Sequence, residues 1–213
     1  LLEKDRFLGI ALIDMYAKCN MLGKAREMVE KLAVQDVVSW SALITGYSQH
    51  GHRDEALDCF RCMQDKGISP DAITFICVLK VCGSMGSLEM GREIHLMASK
   101  QGLLQKDTNL GNALIDMYMK CDRLDDAQDV FDEVSSPTIV LWGEMISGYS
   151  KHGKDHHALE LYSKMQHAGI APDMFLFSCL LKACGRMGAI EKGKHIHDEV
   201  VKRKMLEKNI PFF

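Results

Sequence analysis

Two short motifs in the sequence contain residue types that bind zinc in proteins. Cys59 and Cys62 stand in "CFRC", which has the C-x-x-C spacing of many metal and redox sites. His197 and Glu199 stand in "HIHDE", which has the H-x-E spacing of zinc deaminases. In those enzymes a later P-C-x-x-C supplies further zinc ligands, but no such sequence follows His197. The second motif therefore lacks part of its ligand set.

The sequence repeats itself with a displacement of 102 residues. "ALIDMYAKC" at residues 11–19 returns as "ALIDMYMKC" at residues 113–121. Other identical residues share this displacement: Trp40 and Trp142, Phe75 and Phe177, Cys82 and Cys184, Gly91 and Gly193, and His95 and His197. A fixed displacement across such different residue types indicates an internal duplication, which is typical of repeat proteins.

The duplication gives both zinc-like motifs a structural interpretation. The positions equivalent to the two cysteines hold Leu161 and Lys164, so the C-x-x-C pair is not part of the repeated design. His197 has the counterpart His95, which marks it as a residue of the repeat. The sequence also lacks a Gly-rich phosphate loop and a nucleophile elbow. We therefore predict no metal site, no cofactor and no catalytic residue.

Each repeated block divides further into helical hairpins. In residues 37–71, apolar residues recur at helical spacing from Trp40 to Tyr47 and again from Ala56 to Met63, with a turn at Gly51 between them. Applying this template to the whole sequence gives six repeats: 6–36, 37–71, 72–107, 108–138, 139–173 and 174–209. We number them repeats 1 to 6. The sequence thus predicts twelve helices in six hairpins and no β-sheet.

Two columns of the repeats test this division. The fifteenth position holds residues that enter the left-handed backbone region at low cost: Asn20, Gly51, Gly86, Asp122, Gly153 and Gly188. The twentieth position holds small residues that allow two helices to approach closely: Ala25, Ala56, Gly91, Ala127, Ala158 and Gly193. Both columns support the same register.

Composition narrows the possible functions. The 213 residues are 47% hydrophobic and carry a net charge of -3, so no global positive field indicates a nucleic-acid partner. Charged residues such as Asp14, Lys80 and Lys182 interrupt the apolar runs, which argues against a membrane span. The sequence shows no secretory or transit segment, so we expect any targeting peptide to lie outside it.

The repeat lengths and letters resemble a known family. "LIDMYAKC", "WSALITGYSQHG" and "VLKVCGSMGSLEMGREIH", in repeats of 31, 35 and 36 residues, resemble the S, P and L repeats of plant organelle pentatricopeptide repeat (PPR) proteins of the PLS class. The resemblance covers residues 6–209. It makes repeats 1 and 4 S-type, repeats 2 and 5 P-type, and repeats 3 and 6 L-type.

The resemblance implies a fold and a function. The fold is an all-α, right-handed superhelical solenoid of helix-turn-helix repeats. The function is to bind single-stranded organellar RNA, one repeat per nucleotide, usually to position a site for cytidine-to-uridine editing in a mitochondrion or chloroplast. Editing-complex proteins are the other expected partners, and no membrane is expected. The alternative is a protein-binding scaffold, because tetratricopeptide-like hairpins form similar concave surfaces for peptides.

In the resembled family, the fifth and last residues of a repeat read the base. Here these pairs are Ile10 with Asp36, Ser41 with Asp71, Ile76 with Asp107, Asn112 with Thr138, Gly143 with Asp173, and Ser178 with Asn209. Ile10 and Ile76 have no polar side-chain atoms and Gly143 has no side chain, so we expect these repeats not to complete a two-residue readout. The family's rules imply guanine at repeat 2 and a pyrimidine at repeat 4.

Two further columns are assigned by the resemblance. Second positions flank the base, and here they are Phe7, Val38, Ile73, Asn109, Val140 and Phe175. Asn109 departs from the apolar rule. Thirteenth positions lie near the phosphates, and four of them are cationic: Lys18, Lys120, Lys151 and Arg186. The alternative interpretation is that these cations only complement the helix dipole at a helix C-terminus.

We predict that the aromatic residues and the cysteines serve the fold. Four aromatic residues could stack on bases, but they occupy the apolar stripes of their helices, so we predict that they pack in the core: Trp40, Tyr47, Trp142 and Tyr149. Most of the eight cysteines recur as single letters of the helices. This is the behaviour of small buried hydrophobic residues in a reducing compartment.

Overall fold

The computed structural model describes residues 6–203, which contain twelve α-helices and no strand. They are α1 Arg6–Lys18, α2 Leu22–Lys31, α3 Val37–Gln49, α4 Arg53–Asp65, α5 Ala72–Met85, α6 Leu88–Lys100, α7 Thr108–Lys120, α8 Leu124–Glu133, α9 Ile139–Lys151, α10 Asp155–His167, α11 Met174–Met187 and α12 Ile190–Lys202. The predicted all-α class is confirmed. None of these helices combines the length and the apolar character needed to cross a bilayer.

The internal duplication is visible in the helix boundaries. Each helix from α7 to α12 begins and ends 102 residues after its counterpart among α1 to α6. The odd-numbered helices begin at the first residues of the six repeats defined from the sequence. The assignment of S, P and L types to these repeats stays a prediction.

A single left-handed residue turns the chain between the two helices of each repeat. The fifteenth positions have φ values between 58° and 79°, at Asn20, Gly51, Gly86, Asp122, Gly153 and Gly188. Asn20 and Asp122 are the only non-glycine residues with positive φ among residues 6–203, and their short polar side chains make this conformation tolerable. The predicted turn column is confirmed.

The described residues divide into two compact units, residues 6–123 and 124–203. In the first unit α1, α3, α5 and α7 pack against one another in that order. There α2, α4 and α6 each contact the first helix of their own hairpin and of the next one. In the second unit α9 packs against α11, α10 contacts both of these helices, α8 contacts α9, and α12 contacts α11.

Small residues allow these helices to approach closely. A Cβ atom added at Gly46 in α3 would lie 2.7 Å from the Cβ of Ala17 in α1. A Cβ atom added at Gly91, a twentieth-position residue, would lie 2.5 Å from the Sδ of Met117. The four alanines of the same column are fully buried: Ala25, Ala56, Ala127 and Ala158. The twentieth-position residues are therefore small residues in tightly packed surroundings, where at Gly91 the neighbouring atom belongs to the flexible Met117 side chain.

The aromatic residues of repeats 2 and 5 lie in the core. Trp40, Tyr47, Trp142 and Tyr149 are all buried, and the Trp142 ring meets Phe131 edge to face with centroids 4.7 Å apart. The prediction that these residues pack in the core is confirmed. They are not surfaces on which bases could stack.

The prediction that the cysteines are small buried residues holds for only part of the set: three of the eight are buried, four are half-buried and Cys19 is exposed. Cys59 is fully buried, and burial raises the pKa of its thiol to about 12, which keeps it protonated and unreactive at neutral pH. Burial likewise raises the pKa of Cys82 to about 12. All eight cysteines are free thiols. Within residues 6–203, no three His, Cys, Asp or Glu side chains are grouped as a metal ion requires.

One ion pair joins repeats 5 and 6. The Arg186 Nε donates to Asp155 Oδ2 at 2.8 Å, and its Nη2 donates to Asp155 Oδ1 at 2.5 Å and to Ser150 Oγ at 2.7 Å. The Asp155 side chain is only 7% exposed, whereas that of Arg186 is 48% exposed. The hydrogen bonds from Arg186 hold the pKa of Asp155 below its ordinary value. The pair therefore stabilises the contact between α10 and α11.

We expect Asp155→Asn to lower the free energy of unfolding of the second compact unit by about 1–3 kcal/mol at pH 7, because it removes a charged acceptor from a guanidinium. Since the folded-state pKa of Asp155 is lowered, this stabilisation is present above its unfolded-state pKa of about 3.9 and is lost as the pH falls through the folded-state value. Chemical denaturation at several pH values measures it.

The exposed pair of Lys194 and Glu191 in α12 provides the control. Glu191→Gln should cost less than about 1 kcal/mol. Equal losses for Asp155→Asn and Glu191→Gln would contradict the structural role of the buried pair.

Candidate nucleic-acid interface

The last residue of each of repeats 1 to 5 is the N-cap of the following first helix. Its side-chain oxygen accepts a hydrogen bond from a backbone N–H in the first turn: Asp36 from Ser39, Asp71 from Thr74, Asp107 from Asn109, Thr138 from Leu141, and Asp173 from Leu176. The sequence interpretation missed this role, although an Asp or Thr directly before an apolar helical run is a known capping signal. Asn209 lies outside the described residues.

The capping carboxylate of repeat 1 is also paired with a cation. Arg6 forms an ion pair with Asp36, and Asp36 and Ser39 form a capping box. Burial raises the pKa of Asp36, but the hydrogen bonds from Ser39 and Arg6 outweigh burial and hold that pKa below its ordinary value. Asp36 is therefore ionised at neutral pH, as a good helix cap requires.

Repeat 2 brings its predicted base-reading pair into direct contact. The Ser41 hydroxyl lies 3.3 Å from Asp71 Oδ1, 2.6 Å from the Thr74 hydroxyl and 2.6 Å from the carbonyl oxygen of Val37. Thr74 also donates its hydroxyl proton to Asp71 Oδ1 at 2.7 Å. Ser41 is only 6% exposed. The carboxylate, the two hydroxyls and the helix cap thus form one rigid polar cluster.

The other fifth positions differ in burial and chemistry. Ile10, Ile76 and Asn112 are half-buried. Asn112 belongs to the first compact unit, whereas its predicted partner Thr138 belongs to the second. Ser178 is exposed, and its hydroxyl donates to the carbonyl oxygen of Met174 at 3.0 Å. At Gly143 an added Cβ atom would meet no atom within 4 Å.

The second positions form rows of exposed side chains. All six are exposed, and the five apolar ones, Phe7, Val38, Ile73, Val140 and Phe175, are between 46% and 83% exposed. Each lies in the first turn of its helix, two residues after the last residue of the preceding repeat where one exists. Successive first helices pack side by side within each unit. The second positions therefore follow one another as Phe7, Val38, Ile73 and Asn109 in the first unit and as Val140 and Phe175 in the second.

The four cations of the thirteenth positions are engaged to different degrees. Lys18 and Lys120 form ion pairs at 2.7 Å with Asp14 and Asp116, one helical turn earlier. Arg186 is bound by Asp155. Lys151 is exposed and forms no ion pair with any residue among 6–203. All four stand in the last turn of a first helix, so they also complement its dipole.

Two family models match most of these repeats. The model described as PPR repeat family matches residues 35–84 and 137–210, and the model described as PPR repeat matches residues 11–36 and 112–136. The chain belongs to the PPR repeat family. Membership agrees with the resemblance predicted from the sequence, and the PLS subclass stays a prediction.

Curated PPR proteins of Arabidopsis thaliana are similar to this PPR chain. It is 37% identical over 201 residues to a mitochondrial pentatricopeptide repeat-containing protein, a match that covers 94% of the chain and 29% of that protein. It is 35% identical over 203 residues to a chloroplastic one, covering 95% of the chain and 25% of that protein. Close relatives are thus organellar proteins, as predicted, and the chain spans less than a third of their length.

A solved structure shares the fold of this PPR chain. The pentatricopeptide repeat protein PPR10 from maize, in complex with an 18-nt psaJ RNA element, matches with a TM-score of 0.66 at 18% identity. The match covers 96% of this chain and 31% of the PPR10 chain. At this identity the likeness supports the helical repeat fold alone.

We expect Asp71→Ala to destabilise α5 more than Asp173→Ala destabilises α11. Both changes remove an N-cap, which costs about 1 kcal/mol. Only Asp71→Ala also removes one of the two hydrogen-bond partners of the buried Thr74 hydroxyl, which costs about 1 kcal/mol more. Native-state hydrogen exchange of the α5 and α11 amides measures both effects separately. Equal effects would show that the Ser41–Thr74 cluster adds nothing to the cap.

Proposed function

We propose that this chain is a sequence-selective module that binds single-stranded RNA with one repeat per nucleotide in a mitochondrion or chloroplast. The observation that carries the proposal is the set of exposed apolar side chains at the second positions, four of which lie two residues after a capping residue. Large apolar side chains that are exposed in such a regular pattern on a folded surface normally mark a site of contact with a ligand.

The geometry suits unpaired bases. Apolar side chains from consecutive first helices, such as Val38 and Ile73, are exposed, and we expect them to pack against the two faces of a base. We expect the half-buried carboxylate of Asp71 to meet the base edge, while the buried Ser41 hydroxyl, 3.3 Å from Asp71 Oδ1, helps to hold that carboxylate in place. In a duplex those edges are already paired, so single-stranded RNA should bind in preference.

The relatives support the same class of ligand. The name of the PPR10 structure states that this protein was solved with an RNA element. The proposal that the bound RNA is a target of editing rests on the similarity of the repeat sequences to those of the PLS class. A deaminase reaction needs a zinc site, for which the motif in this chain is incomplete. We therefore assign target recognition to this chain and the deamination to another domain or an editing-complex protein.

We expect Ile73→Ser to weaken binding to a fluorescent random-sequence pool of single-stranded RNA by about fivefold or more, because a base loses one of its flanking surfaces. Ile73 is 60% exposed, so the change should leave thermal stability nearly unaltered. Leu96→Ser is the matched control, since Leu96 is 57% exposed but lies on the second helix α6.

Equal binding by wild type and both variants would show that the second positions do not meet bases. Failure of the wild type to bind RNA at all would favour the protein-binding scaffold.

We also expect replacement of Lys18, Lys120 and Lys151 together by Gln to flatten the salt dependence of RNA binding. Each lost phosphate contact on a single strand should lower the slope of log K against log salt by about 0.7. Arg186 is left unchanged because its loss would disturb the buried Asp155. An unaltered slope would mean that these lysines serve only the helix dipole.

A further inference from the structure

A cavity of about 390 Å³ lies in the second compact unit, lined by the second helices α8 and α10 and by Tyr149 near the end of α9. None of the second, fifth or last positions of the repeats lines it. The charged side chains around it are mostly acidic, with four carboxylates and one lysine: Asp125, Asp129, Asp132, Glu160 and Lys164. The cavity is therefore distinct from the proposed RNA interface, and its charge is of the sign that repels phosphates.

The internal duplication shows what occupies the equivalent space in the first unit. The counterpart of Gln128 in α8 is Arg26 in α2. The Arg26 guanidinium donates to Glu30 Oε1 at 3.3 Å and also interacts with the Tyr47 hydroxyl. These two partners are the counterparts of Asp132 and Tyr149. The first unit thus places an arginine side chain among the same groups that line the cavity in the second unit.

In the second unit a neutral amide has replaced this arginine. The Gln128 amide accepts a hydrogen bond from the Tyr149 hydroxyl at 3.1 Å and donates one to Asp132 Oδ1 at 2.9 Å. It therefore keeps the contacts that Arg26 makes but supplies no positive charge. The carboxylates around the cavity have lost the cation that their counterparts have.

The whole of α8 has the same bias. Its ten residues, "LDDAQDVFDE", contain five carboxylates and no lysine or arginine, whereas the ten residues of α2, "LGKAREMVEK", contain two carboxylates and three cations. Asp132 and Glu133 stand in the last turn of α8, where the helix dipole disfavours negative charge. Because α2 forms an equivalent helix with the opposite charge, the fold alone does not account for the carboxylates of α8.

Two of the carboxylates have no side-chain partner. Asp125 and Asp129 are exposed and form no hydrogen bond or ion pair through their side chains with any residue among 6–203. Asp132 accepts from Gln128, and Glu160 lies 3.3 Å from the His156 ring. Lys164 borders the cavity but forms no ion pair in the described part of the chain. The acceptors needed to bind an external cation are therefore available on α8.

The cavity also contains a flat aromatic group. The exposed His157 ring lies nearly parallel to the Tyr149 ring, at 14°, with centroids 5.4 Å apart. A guanidinium is planar, can stack on such rings, and donates several N–H groups in fixed directions to carboxylates. A metal ion fits less well, because no three possible ligand side chains among residues 6–203 are grouped as it requires.

We propose that this cavity is a docking site for an arginine side chain of a partner protein, presented by a basic segment of that protein. The entering guanidinium would take the place that Arg26 occupies in the first unit, with Asp125 and Asp129 as its main acceptors. The chain would then contact RNA through its first helices and a basic protein through its second helices. The proposal stands on the cavity and its counterpart and does not depend on RNA binding.

The experiment measures binding of the whole chain to a fluorescent peptide, GSRGSRGS, by fluorescence anisotropy at about 0.15 M salt, where long-range attraction is screened. In two further peptides lysine or citrulline replaces both arginines. Citrulline keeps the shape of the side chain but carries no charge. We expect the arginine peptide to bind about tenfold tighter than the citrulline peptide, because it loses its charge-assisted hydrogen bonds. The lysine peptide should bind more weakly than the arginine peptide, since an ammonium cannot form the same planar contacts.

Two variants test the cavity itself. Gln128→Arg supplies an internal guanidinium, as Arg26 does, and Asp129→Asn removes a free acceptor. Each should weaken binding of the arginine peptide about tenfold. Gln101→Arg adds the same charge to an exposed residue at the end of α6, and Glu191→Gln removes an exposed carboxylate from α12, so both controls should bind like the wild type. Circular dichroism verifies that all the proteins are equally helical.

Equal binding of the arginine peptide by the wild type and both cavity variants would overturn the proposal. Equal binding of the arginine and citrulline peptides, or of the arginine and lysine peptides, would also overturn it, because the cavity would not recognise a guanidinium. Single-stranded RNA should not compete with the peptide, and Gln128→Arg should bind RNA like the wild type. Competition by RNA would place the peptide at the RNA interface and would likewise overturn the docking site.

Discussion

The start of every first helix after α1 requires an acceptor for its free backbone N–H groups, and the last residue of the preceding repeat supplies it. This requirement fixes a side-chain oxygen, in four of five cases a carboxylate, at the junction of two hairpins. In repeat 2 the same oxygen of Asp71 accepts from the helix backbone and from Thr74, and it lies beside Ser41. A candidate recognition group is thereby held by an interaction that the fold needs in any case.

This arrangement separates the constant part of the surface from the variable part. The cap cannot change much without loosening a helix, but the fifth residue can be Ile10, Ser41 or Gly143 while the helix bounds remain equivalent. A change at the fifth position therefore alters the space and the hydrogen bonds beside a carboxylate whose own position stays the same. Repeats 2 and 5 illustrate the two extremes: Ser41 belongs to a filled polar cluster, whereas Gly143 lines an open cavity of about 230 Å³.

Features that depend on local sequence could be predicted well. The left-handed turn at Asn20 follows from its residue type and its place between two apolar runs, and the burial of Ala25 follows from the requirement for a small residue at a close approach. The pair of Asp155 and Arg186 could not be predicted in this way. Its partners are 31 residues apart, and the equivalent positions hold Arg53 and Ser84, so no repeated pattern reveals the contact.

The candidate interface was predictable in part. The second positions were identified through the family resemblance, and their exposure adds a physical reason for the assignment. The capping role of residues such as Asp173 was overlooked because the resemblance already offered another role for them. A cavity of about 230 Å³ beside Gly143 could not be predicted, because a sequence shows that glycine has no side chain but not which neighbours surround the space.

The constant displacement of 102 residues between equivalent helix boundaries has a consequence for inheritance. Two stretches of coding sequence with such similar letters can misalign during recombination. A crossover between equivalent codons, for example those of Trp40 and Trp142, joins the beginning of one helix to the end of its counterpart without shifting its apolar stripe. The recombinant protein gains or loses three complete hairpins in one event, and each of its helices keeps both of its ends.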